Sequence, residues 1–184
     1  MKMEMKISKN KIALYAVGLV AIITAWFVIR AGELTLFHIL NFSALLIASY
    51  VAMVFDINTR RIPNMLVLAM ILGWLCLIVP MLFIDIENGI RLLLDSIIGL
   101  LLAGGVFLAV YLLSRKGLGG GDVKFMAVAG LYLGFSEVLP TILYGTVLAA
   151  IVGLILILTK KINRKGTLPL APFLFVGIMI TLLI

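Results

Sequence analysis

The feature that most limits how this chain can fold is a series of long apolar stretches separated by short polar ones. Hydrophobic residues make up 64% of the 184-residue sequence and charged residues only 12%, whereas about a quarter of the residues in soluble domains are charged. The stretches lack a period-2 alternation and contain Gly and Pro, which is typical of membrane-spanning helices and not of barrel strands. The sequence therefore predicts an all-α integral membrane protein.

Seven stretches are long enough, or nearly long enough, to be spans. The first one follows a polar, lysine-bearing segment but is longer than the apolar core of a signal peptide, and no small-residue cleavage site follows it. We therefore predict an uncleaved helix there and a single bundle of about seven transmembrane helices. The predicted spans are 12–29, 36–55, 65–84, 91–113, 123–135, 138–159 and 168–184.

The distribution of basic residues predicts the orientation. If the N-terminus is cytoplasmic, all but two of the 15 Lys and Arg residues fall on the cytoplasmic side, and the exceptions are Arg30 and Arg91. Because cytoplasmic loops collect Lys and Arg, we expect a multi-pass protein of the cytoplasmic membrane with its C-terminus outside. This orientation explains the net charge of +7, and we expect no nucleic-acid partner.

A glycine run introduces an acidic residue at the fifth span, in the sequence Gly119-Gly120-Gly121-Asp122-Val123-Lys124. Glycine accepts positive φ and lets other backbone approach closely, so the run predicts a tight turn that gives a second segment access to Asp122. As a helix, residues 122–135 would rise only about 21 Å, less than the hydrocarbon thickness of about 30 Å. We therefore expect the loop to dip into the bilayer and a hydrated pocket to reach Asp122. The alternative is a flexible loop in which Asp122 only caps a helix.

Asp56 ends the second span on the same predicted side as Asp122. Two carboxylates that share one proton can supply both the base and the acid that amide hydrolysis requires. The two residues are therefore candidates for an aspartyl dyad. The alternative is that each acid forms a local ion pair, Asp56 with Arg60 or Arg61 and Asp122 with Lys116 or Lys124.

The remaining reactive side chains are not assigned to a site. One cysteine, Cys76, excludes a disulfide framework and a cysteine-based zinc site. The single histidine, His38, is not part of an HExxH pattern, and we expect both residues to serve packing or an interface. Asp95 is also left out, because we expect it in the first turn of the fourth span, where a helix N-terminus favours an acid.

Three motifs resemble those of a known family, the type IV prepilin and preflagellin peptidases, which are membrane aspartyl proteases with a G-x-G-D motif. Asp56 followed by Ile62-Pro63-Asn64, and the glycine run with Asp122, resemble its two signatures. The proline-rich segment 168–173 resembles the start of its last helix. The resemblance implies a six-helix peptidase core at 36–184, preceded by a cytoplasmic tail and an extra helix at 1–35.

The resemblance also implies a function, and it implies no metal and no organic cofactor. Asp56 and Asp122 would be catalytic, and the motif-supporting residues would be Pro63, Asn64, Gly119, Gly121 and Lys124. The reaction would remove a short basic leader from a pilin-like or archaellin-like precursor, next to the bilayer on its cytoplasmic side. Bifunctional relatives carry a cytoplasmic insertion associated with N-methylation, and nothing in this sequence corresponds to it, so we expect no methyltransferase activity.

Two other classes of function stay open on the residues alone. Acidic groups within a membrane also serve as ion or proton relays in small transporters and channels, although no internal repeat is visible. The chain could instead be a non-catalytic assembly or lipid-binding subunit. The sequence leaves open the identity of the precursor, a bacterial or archaeal source, and the oligomeric state.

Overall fold

The protein is described from a computed structural model, which covers residues 9–30, 35–114, 118–160 and 168–184. Within these ranges there are helices and no β-strand, which confirms the all-α prediction. The helices are α1 Lys9–Arg30, α2 Leu36–Thr59, α3 Asn64–Ile84, α4 Ile86–Leu113, α5 Gly120–Leu158 and α6 Ala171–Leu183. Helices α2 to α5 are long and apolar enough to cross a membrane, and the protein is a multi-pass membrane protein.

Helix α5 is interrupted at Gly134, where φ is 70° and ψ is −174°. This conformation is essentially confined to glycine. Before the interruption, residues 120–133 pack tightly on α4, with Gly130 against the backbone of Gly99 and Ala127 beside Gly104. Residue numbers rise on one helix as they fall on the other, so this segment runs antiparallel to α4.

After Gly134 the chain runs the other way along α4. The backbone N–H of Phe135 donates a hydrogen bond to Asp95 Oδ1 at 3.1 Å, and Thr146 faces the same small cavity as Val110. Residue numbers now rise together on the two helices, so residues 135–158 run parallel to α4. The single long helix is therefore a hairpin of two helices, and the described residues form seven helical segments, as predicted.

The seven segments alternate in direction. Helix α1 runs antiparallel to α2, because the Tyr50 hydroxyl donates to the Tyr15 carbonyl and Trp26 packs edge-on against Phe42. We call the end of the bundle where α2 finishes and α3, α5 and α6 begin the Asp56 end. We call the other end, where α2 and α4 begin and the α5 hairpin turns, the Gly134 end.

The first segment of α5 lies at the centre of the bundle. Phe125 and Met126 are fully buried in it, and the Tyr132 hydroxyl donates to the Met70 carbonyl of α3. On the second segment, Thr141 donates to Thr181 of α6 at 3.0 Å. Many large apolar side chains on the outer faces are exposed, which suits contact with lipid.

Two helix boundaries differ from the predictions in ways that affect acidic residues. Helix α2 continues one turn beyond Asp56 to Thr59. Helix α4 begins at Ile86, earlier than predicted, because Asp85 caps it by accepting a hydrogen bond from the Asn88 N–H. The prediction that Asp95 lies in the first turn of its own helix is therefore wrong. Asp95 lies in the third turn and instead accepts the hydrogen bond from the helix that begins after Gly134.

Candidate active site

Asp56 is buried in the last turn of α2, with only 5% of its surface exposed. Its Oδ2 accepts a hydrogen bond from the backbone N–H of Ala171 at 3.0 Å. Ala171 is the first residue of α6, and the N-terminus of a helix stabilises a nearby negative charge. The α2 carboxylate is therefore held and oriented by the start of the last helix.

The proline-rich segment explains why this amide is available. The first N–H groups of a helix have no partner within the helix, and Pro172 has no N–H at all. The Leu170 carbonyl accepts from Phe173 and Leu174, which leaves the Ala171 N–H pointing towards Asp56. The proline-rich segment is visible in the sequence but this contact is not, because a backbone donor can belong to any residue type.

Asp122 occupies the third position of α5. Its helix is capped by Gly119, which has an extended backbone with φ −73° and ψ 136°. The Asp122 carboxylate accepts a hydrogen bond from the backbone of Gly119, the return contact of a capping box. Its other oxygen, Oδ1, is buried and has no hydrogen-bond partner among the described residues. The alternative that Asp122 caps a helix is thus partly right, but capping gives a hydrogen bond to only one of its two carboxylate oxygens.

The glycine run does not form the predicted tight turn. Gly120 and Gly121 already belong to α5, and among the described glycines only Gly134 has a positive φ. The expectation of close approach is met instead. A Cβ on Gly121 would lie 3.4 Å from Ile62, and a Cβ on Gly119 would lie 2.7 Å from Asp122 Oδ2. The glycines therefore provide space beside the acid rather than an unusual backbone conformation.

The structure brings the two candidate carboxylates together. Asp122 is close enough to Asp56 for direct electrostatic interaction, and Ile62, from the connection after α2, lies against Gly121. The starts of α3, α5 and α6 thus lie around the end of α2. Carboxylates that interact in this way repel each other when both are ionised.

The motif residues beyond the two acids form a bridge between helices. Lys124 Nζ donates to Asn64 Oδ1 at 3.2 Å, which ties the start of α5 to the start of α3. Pro63 caps α3 with an extended backbone rather than occupying its first turn. The hydrogen bond of Lys124 is thus with Asn64 and not with Asp122, while Lys116 lies outside the described residues.

Neither His38 nor Cys76 approaches the carboxylate pair. The His38 ring packs edge-on against Phe37 at the Gly134 end, and Cys76 is exposed on α3. Across the described part of the chain, no group of three or more His, Cys, Asp or Glu side chains could hold a metal ion.

Comparisons with known proteins point to one family. The sequence model described as the type IV leader peptidase family matches residues 39–154, a range that contains both candidate carboxylates. The prepilin leader peptidase/N-methyltransferase of Bacillus subtilis (strain 168) is 32% identical over 156 residues, which cover 81% of this chain and 56% of that protein. The protein of the same name from Stutzerimonas stutzeri is 31% identical over 132 residues, covering 70% and 44% respectively.

The chain spans about half the length of the curated relatives that it matches. A further relative with the same name, from Pseudomonas aeruginosa, is 31% identical over 132 residues, or 70% of this chain and 43% of that protein. No solved structure matches.

Proposed function

The chain belongs to the type IV leader peptidase family, and from that premise we propose that it is an aspartyl endopeptidase. Its reaction is the removal of the short basic leader of a pilin-like or archaellin-like precursor at the membrane. Asp56 and Asp122 form the catalytic pair. The observation that carries this proposal is their meeting at one end of the bundle, each held by a backbone amide.

In each aspartate one oxygen accepts a hydrogen bond from a backbone amide, and the other oxygen is available for the reaction. In the proposed reaction, the ionised member of the pair takes a proton from a water molecule, and the oxygen of that water attacks the carbonyl carbon of the scissile peptide bond. The protonated member donates to the carbonyl oxygen, and the tetrahedral intermediate collapses when the leaving amine is protonated. Because a coupled pair titrates as a unit, neither aspartate alone is named the base.

The unpartnered Asp122 Oδ1 is the oxygen that we assign to water or to the substrate carbonyl. It is buried and accepts no hydrogen bond from the residues that the structure describes, which is costly for a carboxylate unless a further donor is present. A water molecule or a protonated partner is such a donor. The Gly119 and Ala171 amides meanwhile fix the orientation of the two carboxyl groups, and orientation is a large part of catalysis.

The charge pattern supports a cytoplasmic location of this pair. Arg60 and Arg61 lie beside the end of α2, and Lys124 lies at the start of α5, whereas Arg91 lies at the Gly134 end. By the positive-inside rule, the Asp56 end faces the cytoplasm. The arginines would repel a basic leader, so we assign them to orientation and lipid contact and not to catalysis. The proposal does not extend to N-methylation.

The test is leader removal by the purified protein. A pilin-like precursor is incubated with wild-type protein, with Asp56→Asn and with Asp122→Asn, and the new peptide ends are identified by mass spectrometry. We expect each variant to lose cleavage while keeping its helical content. The matched control is Glu87→Gln, because Glu87 is an exposed acid at the other end of the bundle that pairs with Arg91. Cleavage at near wild-type rates by both aspartate variants would refute the assignment.

A further inference from the structure

The Gly134 end contains a polar cavity that the proposed reaction does not use. Its volume is about 320 Å³, and it lies on the far side of the bundle from Asp56 and Asp122. Asp95 and Glu137 bring two carboxylates to it, and Arg30 brings one guanidinium group. The cavity therefore presents charges of both signs, with an excess of acidic groups.

One buried amide oxygen in this cavity has no hydrogen-bond partner among the described residues. Asn41 is 4% exposed, and its Nδ2 donates to the Tyr132 carbonyl at 2.7 Å. Its Oδ1 is buried and accepts no hydrogen bond from the part of the chain that the structure describes, although buried amide oxygens nearly always accept one. Asn41 lines the cavity, so a donor in the cavity would satisfy it.

An apolar groove of about 660 Å³ adjoins the cavity. The two share the lining residues Phe37, His38 and Leu92. The groove runs between the start of α2 and the end of α3, from Ile84 to Cys76. This interval corresponds to a depth of about 12 Å along a helix, which takes the groove from the membrane interface into the hydrocarbon region. Leu40 and Met81 give it apolar walls.

We propose that this cavity and groove together bind one phospholipid whose head group carries a primary ammonium, as in phosphatidylethanolamine. The ammonium lies at Asp95 and Glu137 and donates to Asn41 Oδ1, the phosphate lies on the side of Arg30, and one acyl chain fills the groove. A polar cavity joined to an apolar groove at the membrane interface matches an amphipathic lipid and not a water-soluble ligand.

Charge and donor chemistry decide between head groups. Phosphatidylglycerol has the phosphate but no ammonium, so its anionic head group would face two carboxylates without a cation between them. Phosphatidylcholine has a quaternary ammonium, which has no N–H to donate to Asn41 Oδ1 or to the carboxylates. Phosphatidylethanolamine supplies both the charge and the three donors.

The experiment measures lipid affinity of the purified full chain by native mass spectrometry. The protein in detergent is titrated separately with phosphatidylethanolamine, phosphatidylglycerol and phosphatidylcholine that carry identical acyl chains. Because charged hydrogen bonds separate these head groups, we expect wild-type protein to bind phosphatidylethanolamine about tenfold more tightly than either other lipid. Equal affinity for the three lipids would overturn the proposal, and this result needs no variant.

Two substitutions, compared with one control, locate the site. Glu137→Gln should remove most of the preference for phosphatidylethanolamine, whereas Glu87→Gln, an exposed acid at the same end that lines neither space, should leave it unchanged. Leu40→Trp fills the groove and should lower the affinity for all three lipids to the same extent. If Glu137→Gln and Glu87→Gln bind lipids identically, the ammonium does not bind in this cavity. Leader cleavage is a separate readout, so the failure of either proposal is distinguishable from failure of the other.

Discussion

At the scale of single residues, the two candidate catalytic acids are held in the same way. Asp56 accepts from the first amide of α6, and Asp122 accepts from the capping residue of its own helix, Gly119. In both cases a helix N-terminus supplies the donor, and its dipole favours a negatively charged partner. The bundle thus orients both acids with backbone amides of helix N-termini.

Alanine substitutions at the neighbouring glycines Gly119 and Gly120 should have different effects on cleavage. A Cβ on Gly119 would lie 2.7 Å from Asp122 Oδ2, whereas a Cβ on Gly120 would meet nothing within 4 Å. Gly119→Ala should therefore displace the Asp122 carboxylate and lower the rate of leader cleavage by about tenfold to a hundredfold. Gly120→Ala should cleave at a near wild-type rate. The measurement is the initial rate of cleavage by the two purified variants.

Gly120→Ala is the matched control because it adds the same methyl group one residue away. Helical content measured by circular dichroism should be the same in both variants, since Gly119 precedes α5 and its backbone is extended. Equal cleavage rates for the two variants would show that the Gly119 contact does not position Asp122.

The pairing of the two acids could be predicted from the sequence, whereas the groups that bind them could not. Motif context identified Asp56 and Asp122 as a pair, and the structure brings them together. The Ala171 amide was not predictable, because a backbone donor can belong to any residue type. The prediction for Asp95 failed because it depended on the start of α4, and Asp85 moves that start by capping the helix five residues earlier.

At the scale of helices, α4 and the first segment of α5 are held by close contact between glycines. Gly99 and Gly130 pack backbone against backbone, so that a Cβ on either residue would collide with the other's carbonyl oxygen. Close approach of this kind is a main source of helix association in membranes, where lipid is as apolar as the helix surface. The contact sets the position of the segment that carries Asp122.

Substituting Gly99 tests this contact. Gly99→Ala should destabilise the bundle by about 1–3 kcal/mol, because the added methyl group forces the helices apart. Gly105 lies on the same helix but is exposed, with nothing within 4 Å of an added Cβ. Gly105→Ala should therefore be neutral or slightly stabilising, since alanine favours a helix. Thermal unfolding in detergent measures both, and equal melting temperatures would contradict the assigned role of Gly99.

Helix number was easier to predict than the point at which the chain turns. Seven apolar stretches gave seven segments, because hydrocarbon thickness sets the length of a span. The turn between the fifth and sixth segments was expected at residues 136–137, where polar residues interrupt the apolar pattern. It occurs at Gly134, which the sequence analysis treated as part of a helix. Polar composition does not reveal which glycine adopts a positive φ.

At the scale of the whole molecule, alternating helices separate two chemically different ends. The Asp56 end carries the candidate dyad together with Arg60, Arg61 and Lys124, and the Gly134 end carries the polar cavity around Asp95. Since packing fixes the helix directions, the side of the membrane on which one exposed residue lies determines the side on which each end of the bundle lies. One exposed residue at each end is therefore enough to test the orientation of the protein in the membrane.

Labelling of single cysteines provides that test. Cys76 is exposed and is first replaced by serine, after which Arg61→Cys and Glu87→Cys each provide one thiol at an exposed position. The excess of basic residues predicts that the Asp56 end is cytoplasmic. In spheroplasts, a membrane-impermeant maleimide should therefore react with the cysteine at position 87 at once, but with that at position 61 only after permeabilisation. The reverse pattern would place the dyad outside the cell, and cleavage of precursors from the cytoplasm would then be impossible.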